Sequence, residues 1–246
     1  ADYVHSLGLK FGIHIMRGVP RQAQKKKTRI LGTDRKANDI ANIKNVCSWN
    51  DDMFGIDMKK RGAQEYYDSI AQLYAEWGVD YIKADDMTNP YQEAEITAIS
   101  NAIKKTGRPM VLSLSPGEAP ADKGDHLRAN ADLWRISLDL WDRWDDVKKM
   151  FALTKRWEPQ IGKGGWPDAD MLPLGRIGIR AELGTDRATR LTRDEQRTLM
   201  TLWSIFRSPL MFGGDLPSSD EWTLSLLTNA EVLAVNQASS NNREML

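Results

Sequence analysis

The stretch YIKADDM, residues 81–87, ends a short run of strand-forming residues with Lys83, Asp85 and Asp86. The run is too short and too continuous to be an amphipathic hairpin strand, which favours a buried strand of a parallel sheet. In α/β barrels the carboxyl ends of all strands face one mouth, where the functional side chains are assembled. The stretch therefore predicts an α/β fold whose charged strand end belongs to a site.

Strands and helices alternate along the rest of the chain. Apolar spacing and terminal glycines predict helices over residues 62–78 and 91–107, and further helices over 119–130, 141–157, 193–207 and 219–229. Thr192 and Glu195 predict a capping box that opens the helix over 193–207. Strands are predicted at 9–15, 79–84, 109–115, 132–137, 168–174 and 209–214, with a last strand-like piece at 231–237. Residues 16–60 are predicted as one long loop, and a loop of that length is usually functional.

Polar side chains stand at the carboxyl end of nearly every predicted strand. They are His14, Lys83, Asp85, Ser115, Arg135, Asp139, Asp170 and Asp215. This arrangement predicts a (β/α)₈ TIM barrel rather than an open sheet. About six strands are apparent where the barrel has eight. The whole chain, residues 1–246, is thus expected to be a partial catalytic barrel.

Composition excludes several classes of partner and cofactor. The 34 basic residues balance the 34 acidic ones, so no net field would recruit nucleic acid or an acidic membrane, and no stretch is apolar enough to span one. The single cysteine, Cys47, argues against disulfides and thiolate zinc sites, and the three histidines are scattered. No nucleotide-binding glycine motif follows a strand. We expect no metal and no cofactor.

Two carboxylates suggest a chemistry for the mouth. Asp85 and Asp139, if they face each other, are what acetal hydrolysis requires, one as nucleophile and one as acid and then base. A retaining reaction would place the two carboxyls roughly 5–5.5 Å apart. Lys83 points to the same side of its strand as Asp85 and would keep that carboxyl ionised. A plain ion pair between Lys83 and Asp85 fits the spacing equally well, so the residues alone leave both interpretations open.

Six stretches, in this order along the chain, resemble the catalytic barrel of glycoside hydrolase family 27, the retaining α-galactosidases and α-N-acetylgalactosaminidases. They are ADYVHSLGLKFGIH, WGVDYIKADD, ADLWRISLDLWDRW, GGWPDADML, WSIFRSPLMFGGDL and EVLAVNQ. The resemblance covers nearly the whole chain apart from the predicted loop. It implies that Asp85 is the nucleophile, Asp139 the acid/base, and that the substrate-binding residues are His14, Trp49, Asp51, Lys83, Ser115, Arg135, Asp170 and Met171. Asp86 is then expected to be a loop or supporting carboxylate.

The chain departs from the family pattern at both ends and in specificity positions. It begins after the two strands that carry the family's sugar-gripping tryptophan and Asp-Asp pair, and it ends before the family's C-terminal β-sandwich. Trp49 and Asp51 in the predicted loop are expected to supply sugar contacts instead. Ser115 stands where the galactosidases have a glutamate, which would leave room for an N-acetyl group, although Glu118 could refill that space.

The resemblance implies a retaining exo-glycosidase that releases terminal α-linked galactose from an oligosaccharide or glycoconjugate. N-acetylgalactosamine and β-L-arabinopyranose are the alternative sugars within the family. Outside it, a non-catalytic sugar-binding barrel would keep the tryptophans, and an enolase-like metal-dependent lyase is a more distant alternative. The family resemblance also implies a secreted or periplasmic protein.

Overall fold

The computed structural model describes residues 1–162, 164–180 and 183–245. The chain divides into two compact units, Ala1–Trp134 and Arg135–Leu246. The first unit is built on parallel strands in the order β1 (Gly12–Met16), β5 (Tyr81–Asp85), β6 (Val111–Leu114) and β7 (Leu133–Arg135), the last of which ends in the second unit. Buried Ile82, Ala84, Leu112, Leu114 and Trp134 lie on these strands.

Helices connect the parallel strands of the first unit. α4 (Ala63–Glu76) precedes β5 and packs against α5 (Glu93–Thr106), which follows it. α5 carries Glu93 and Glu95 in its first turn and Lys104 and Lys105 in its last, which complements the helix dipole. The first unit also contains α1 (Asp2–Ser6), α6 (Gly124–Asn130) and a 3₁₀ turn at Ala121–Lys123 that leads into α6.

The segment predicted as a long loop contains regular structure. β2 (Val19–Pro20), β4 (Met53–Ile56) and β3 (Ala41–Asn42) form an antiparallel sheet in that order, accompanied by α2 (Arg21–Lys26) and α3 (Ala37–Ile40). These elements are two to six residues long, too short to give a recognisable hydrophobic period. Gly18 has φ +90°, and a β-carbon there would lie 2.0 Å from the Phe54 carbonyl oxygen, so only glycine fits.

The second unit is mostly helical. α7 (Trp144–Trp157) and α10 (Ala230–Ala238) both pack against α8 (Arg193–Phe206), and a short helix α9 (Glu221–Leu227) precedes α10. β8 (Trp166–Asp168) accepts a hydrogen bond at the Asp168 carbonyl from the Ile136 amide, and β9 (Arg176–Ile177) pairs antiparallel with β10 (Arg187–Ala188). Short 3₁₀ turns occupy Glu158–Gln160 and Leu216–Ser218.

Two sequence predictions in the second unit have opposite outcomes. The predicted capping box is confirmed, because Thr192 accepts from the Glu195 amide and the Glu195 carboxylate accepts from the Thr192 amide. The strand-like prediction for 231–237 is wrong, since these residues lie in α10. Asn229 caps that helix by accepting from the amides of Glu231 and Val232, each at 3.1 Å, and this local bond outweighs the strand preference of the valines.

The predicted strands at 168–174 and 209–214 are only partly formed. Regular strand structure covers Trp166–Asp168, and the later residues contribute a single parallel bridge between Leu172 and Phe212. Among the described residues, the structure contains no helix with the length and apolar character that a membrane crossing requires.

Candidate active site

The carboxylate of Asp85, at the end of β5, accepts hydrogen bonds on both of its oxygens. Oδ1 accepts from the Ser115 hydroxyl and from the Asp86 amide, each at 2.9 Å. Oδ2 lies 3.1 Å from Nε2 of His14. Burial by itself raises the pKa of Asp85, but the bonds from His14, the Asp86 amide and Ser115 outweigh it and leave the pKa below its ordinary value. Asp85 is therefore held as a carboxylate.

Parallel strand register brings these donors to Asp85. His14 on β1 is in register with Lys83 on β5, and the Ser115 amide continues the β6 ladder by donating to the Ala84 carbonyl at 3.0 Å. Neighbouring parallel strands end side by side, so side chains at their carboxyl ends converge. His14, Asp85 and Ser115 were all predicted site residues, and in the structure both His14 and Ser115 form a hydrogen bond with Asp85.

Lys83 does not provide the electrostatic partner that was expected for Asp85. It is half-buried and shares the strand face of Tyr81 and Asp85. The groups that lower the pKa of Asp85 are His14, Ser115 and the Asp86 amide instead. Residues two apart on a strand point the same way but are separated by roughly 6.5 Å along it. His14 and Ser115, on or beside the adjacent strands, lie within hydrogen-bond distance of the Asp85 carboxylate.

Asp86 is a buried ion-pair partner, with φ +60° in the left-handed region. Its carboxylate Oδ2 lies 2.6 Å from Nη2 of Arg17, and Nη1 of Arg17 lies 2.6 Å from Oε1 of Glu95. The sequence suggested a loop or supporting role for the Asp86 carboxylate, whereas neither Arg17 nor Glu95 was predicted to lie beside it. A basic residue directly after β1 and a glutamate in the first turn of α5 were the available signals.

A second cluster of predicted site residues lies in the second unit around Arg135. Nη1 of Arg135 lies 2.9 Å from Oδ1 of Asp170, and Nη2 donates to Oδ1 of Asp139 at 3.3 Å and to the Ser137 carbonyl at 3.0 Å. The guanidinium is buried, whereas the side chain of Asp139 is 74% exposed. Arg135 thus joins a buried and an exposed carboxylate, and its Nε has no hydrogen-bond partner among the described residues.

Asp170 is buried in a left-handed backbone conformation with φ +79°. Its Oδ2 accepts from the Leu140 amide at 2.6 Å, and its own amide donates to Asp168 at 2.8 Å. Burial raises the pKa of Asp170 above its ordinary value, although Arg135 and the amides of Leu140 and Met171 oppose the shift; the Asp139 charge adds to it. Non-glycine residues in this conformation cluster at functional sites.

The remaining predicted substrate-binding residues are Met171, Trp49 and Asp51. Met171 is half-buried, and a β-carbon on Gly213 would come within 2.6 Å of its sulfur. Trp49 and Asp51 lie on the exposed connection between β3 and β4, and in the described part of the chain neither contacts Asp85. Within residues 1–162, 164–180 and 183–245, no group of three His, Cys, Asp or Glu side chains is arranged to hold a metal ion.

Comparison with known proteins identifies relatives along the whole chain. The family model described as Alpha galactosidase A (Melibiase_2) matches residues 55–238. A β-L-arabinopyranosidase of glycoside hydrolase family 27 from Geobacillus stearothermophilus is 59% identical, with a TM-score of 0.94, over 96% of this chain and 56% of that one. Its likeness, together with the parallel sheet and its helices, confirms the predicted TIM-barrel catalytic fold.

Curated relatives are more distant and carry related names. A protein of Dictyostelium discoideum named "Probable alpha-galactosidase" is 32% identical over 243 residues, which are 96% of this chain and 50% of that protein. An alpha-N-acetylgalactosaminidase of Gallus gallus is 31% identical over 178 residues, 68% of this chain and 41% of that protein. The chain spans about half the length of the curated relatives it matches.

Proposed function

The chain belongs to the Alpha galactosidase A family, glycoside hydrolase family 27, and from this membership we propose that it carries the catalytic residues of a retaining glycosidase. The proposed substrate is an oligosaccharide or glycoconjugate with a terminal α-galactosyl-type sugar. The observation that carries the proposal is the Asp85 carboxylate, which three donors hold ionised at the end of β5. A nucleophilic carboxylate must be ionised before it can attack.

In the first step Asp85 attacks the anomeric carbon. Oδ1 already accepts two hydrogen bonds whereas Oδ2 accepts one, at 3.1 Å, so Oδ2 retains more lone-pair density and is the proposed attacking atom. As the new C–O bond forms, the bond to the leaving oxygen breaks, and Asp139 donates a proton to that oxygen. The exposed side chain of Asp139 suits exchange with an entering aglycone and with water.

In the second step water hydrolyses the glycosyl-enzyme. Asp139, now a carboxylate, takes a proton from the water as the water oxygen attacks the anomeric carbon, and the bond to Asp85 breaks. The enzyme returns to its starting protonation state, and two inversions leave the sugar with retained configuration. No cofactor enters either step.

The other family positions are proposed to hold the sugar. Arg135 and Asp170 form a preorganised donor and acceptor pair, because their mutual contact fixes both side chains before substrate arrives. Lys83 is proposed to donate to sugar hydroxyls, since Asp85 draws its donors from elsewhere. Met171 is proposed to contact the apolar side of the ring, and Trp49 and Asp51 the outer part of the substrate. His14 and Ser115 contact Asp85 itself and would meet the sugar beside it.

The identity of the sugar has two strong candidates. The curated α-galactosidase relatives favour terminal α-D-galactose. The 59% identity to a β-L-arabinopyranosidase favours β-L-arabinopyranose, which has the same ring configuration as α-D-galactose without the C6 hydroxymethyl group. N-acetylgalactosamine is the third candidate, supported by the relative that carries that name.

The proposal is tested by trapping the intermediate in the full-length protein. A 5-fluoro glycosyl fluoride of galactose or arabinopyranose should inactivate the enzyme slowly, and mass spectrometry should locate the sugar on the peptide that contains Asp85. Rates on p-nitrophenyl α-D-galactoside, its N-acetylated analogue and the β-L-arabinopyranoside should rank the three sugars. Sugar binding without turnover of any of them would favour the non-catalytic alternative and overturn the proposal.

A further inference from the structure

Three charged side chains form a buried network immediately beside Asp85. Arg17, Asp86 and Glu95 are only 2%, 3% and 3% exposed. Arg17 donates from Nε to the Asp86 carbonyl at 2.8 Å, from Nη2 to the Asp86 carboxylate at 2.6 Å, and from Nη1 to Glu95 at 2.6 Å. One guanidinium therefore clamps both the main chain and the side chain of the residue that follows Asp85.

The clamp acts on a strained piece of backbone. Asp86 has φ +60°, a conformation that is unfavourable for residues with a β-carbon, although aspartate and asparagine tolerate it best. In this conformation the Asp86 amide points back and donates to Oδ1 of Asp85 at 2.9 Å. If φ of Asp86 relaxed to an ordinary negative value while the flanking chain stayed in place, the peptide plane between Asp85 and Asp86 would have to rotate. The Asp86 amide lies in that plane, so it would turn away and Asp85 would lose one of its three donors.

We infer that Arg17 is a positioning residue for the proposed reaction: it holds Asp86 in the left-handed conformation and thereby fixes the Asp85 carboxylate for attack. This inference rests on the proposed function, because it assigns the geometry of the proposed nucleophile to Arg17. The main-chain amide of Arg17 donates to the Asp85 carbonyl at 3.0 Å, which continues the ladder between β1 and β5. Its guanidinium, which carries the proposed role, bonds to Asp86, Glu95 and Asn45 and not to the Asp85 carboxylate. It acts through the Asp86 main chain.

The network has more organisation than a simple stabilising ion pair needs. Glu95 also accepts from the Tyr67 hydroxyl at 2.6 Å and from the Ile56 amide at 3.2 Å, and Arg17 also donates to Asn45 at 3.0 Å. Buried ion pairs contribute little net stability compared with apolar side chains of similar volume, so stability alone is a weak reason for three buried charges here. Rigid support of a reacting group requires such a fully bonded shell.

Two substitutions at Asp86 separate positioning from charge. Asp86→Asn and Asp86→Ala both remove the same buried charge, but asparagine keeps an acceptor for Arg17 and tolerates the left-handed conformation, and alanine does neither. A third variant, Arg17→Lys, keeps the charge of the clamp and loses its planar fork. The variants are made in the full-length protein, and the melting temperature of each is recorded.

The first readout is kcat/KM on the fastest p-nitrophenyl glycoside. Asp86→Ala should fall roughly 10- to 100-fold below Asp86→Asn, the cost of a small misplacement of a reacting group, and Arg17→Lys should fall into the same range. KM should change little, because the sugar contacts are intact. Equal kcat/KM for Asp86→Asn and Asp86→Ala, or wild-type kcat/KM for Arg17→Lys, would show that the network stabilises the fold and does not position Asp85.

The second readout does not depend on turnover. Carboxyl NMR of protein with ¹³C-labelled aspartate follows the titration of Asp85, which is assigned by the signal that disappears in Asp85→Asn. Asp85 should titrate at higher pH in Asp86→Ala than in Asp86→Asn, because only alanine turns the donating amide away. Identical titrations would overturn the inference. A wild-type protein that cleaves no glycoside would refute the proposed function, and this NMR comparison would still decide the role of Arg17.

Discussion

Asp85 in the first unit and Asp170 in the second are buried to a similar degree, with side chains 14% and 11% exposed, yet their pKa values move in opposite directions. Asp170 lies 2.9 Å from a guanidinium, and its pKa is raised. Among the described residues no arginine or lysine side chain forms an ion pair with the Asp85 carboxylate, and the pKa of Asp85 is lowered. An ion pair therefore does not by itself decide the charge of a buried carboxylate. Here the balance between desolvation and the complete set of neighbours decides it.

The neighbours of the two carboxylates explain the difference. Asp85 accepts from His14, Ser115 and a main-chain amide, and each of these bonds lowers its pKa. Asp170 is helped by Arg135 but also experiences the negative charge of Asp139, which shares the same guanidinium. Two carboxylates that compete for one cation leave neither fully compensated. The first environment suits a nucleophile, and the second suits a group that exchanges hydrogen bonds with sugar hydroxyls.

The largest effect should come from removing the proposed nucleophile. Asp85→Asn keeps the shape of the side chain and loses the negative charge, so kcat should fall roughly 10⁴- to 10⁶-fold, as when the central members of other catalytic sets are removed. Steady-state rates on p-nitrophenyl glycosides measure this, and added azide should yield no glycosyl azide of retained configuration. A fall in kcat of less than tenfold would show that Asp85 is not the nucleophile.

Asp139→Ala should have the next largest effect, and one that depends on the leaving group. General acid catalysis contributes roughly 10²- to 10⁴-fold, so natural glycosides should slow by that factor. Substrates with good leaving groups need little protonation and should still form the glycosyl-enzyme. Azide should accelerate the variant by attacking the intermediate, and NMR should show a product of retained configuration. An inverted product would reverse the roles of Asp85 and Asp139.

Ser115→Ala should lower the activity less than Asp85→Asn or Asp139→Ala does. The substitution deletes one hydrogen bond to the ionised carboxylate, which is worth about 1.5–3 kcal/mol, so kcat/KM should fall by roughly 10- to 150-fold at most. The acid limb of the kcat/KM profile should move to higher pH because a donor that lowers the pKa of Asp85 is gone. The control is Ser204→Ala, which changes a buried serine on α8 whose hydroxyl has no hydrogen-bond partner among the described residues. This control should change neither kcat/KM nor the position of the acid limb.

The smallest expected effect is on the pH dependence of the free energy of unfolding. It tests directly whether the pKa values of Asp85 and Asp170 shift in opposite directions. Both carboxyls have an ordinary pKa of 3.8. The pKa of Asp85 is lowered by folding, so its contribution is present above 3.8 and is lost as pH falls through the folded value. The pKa of Asp170 is raised, so its contribution is present below 3.8 and is lost as pH rises through the folded value.

Urea unfolding of wild type, Asp85→Asn and Asp170→Asn between about pH 3 and pH 6 should reveal these opposite signs. The free-energy difference between wild type and Asp85→Asn should grow with pH, and that between wild type and Asp170→Asn should shrink. Differences with the same sign of slope would contradict the contrast between the two environments.

The sequence predicted the parts of this protein that depend on local pattern. The helices α4, α5, α7 and α8 follow from apolar spacing and end signals, and the capping box at Thr192 and Glu195 follows from two residues alone. Asp85 and Ser115 were placed correctly at strand ends, because parallel strands carry their functional residues at one end. His14 lies in the middle of β1, which ends at Met16. The family followed from six ordered motifs.

Tertiary structure decided which partners those residues have. Asp85 accepts hydrogen bonds from His14 on β1, from Ser115 after β6 and from the amide of Asp86, whereas the sequence had suggested Lys83 as its partner. Arg17 directly follows β1 and lies 69 residues before Asp86 in the sequence. Glu95 lies in α5, nine residues after Asp86. These spacings do not identify either residue as a neighbour of Asp86. Hydrogen bonding and desolvation depend on distances of a few ångströms between elements remote in sequence, so the charge of Asp85 and of Asp170 was settled only by folding.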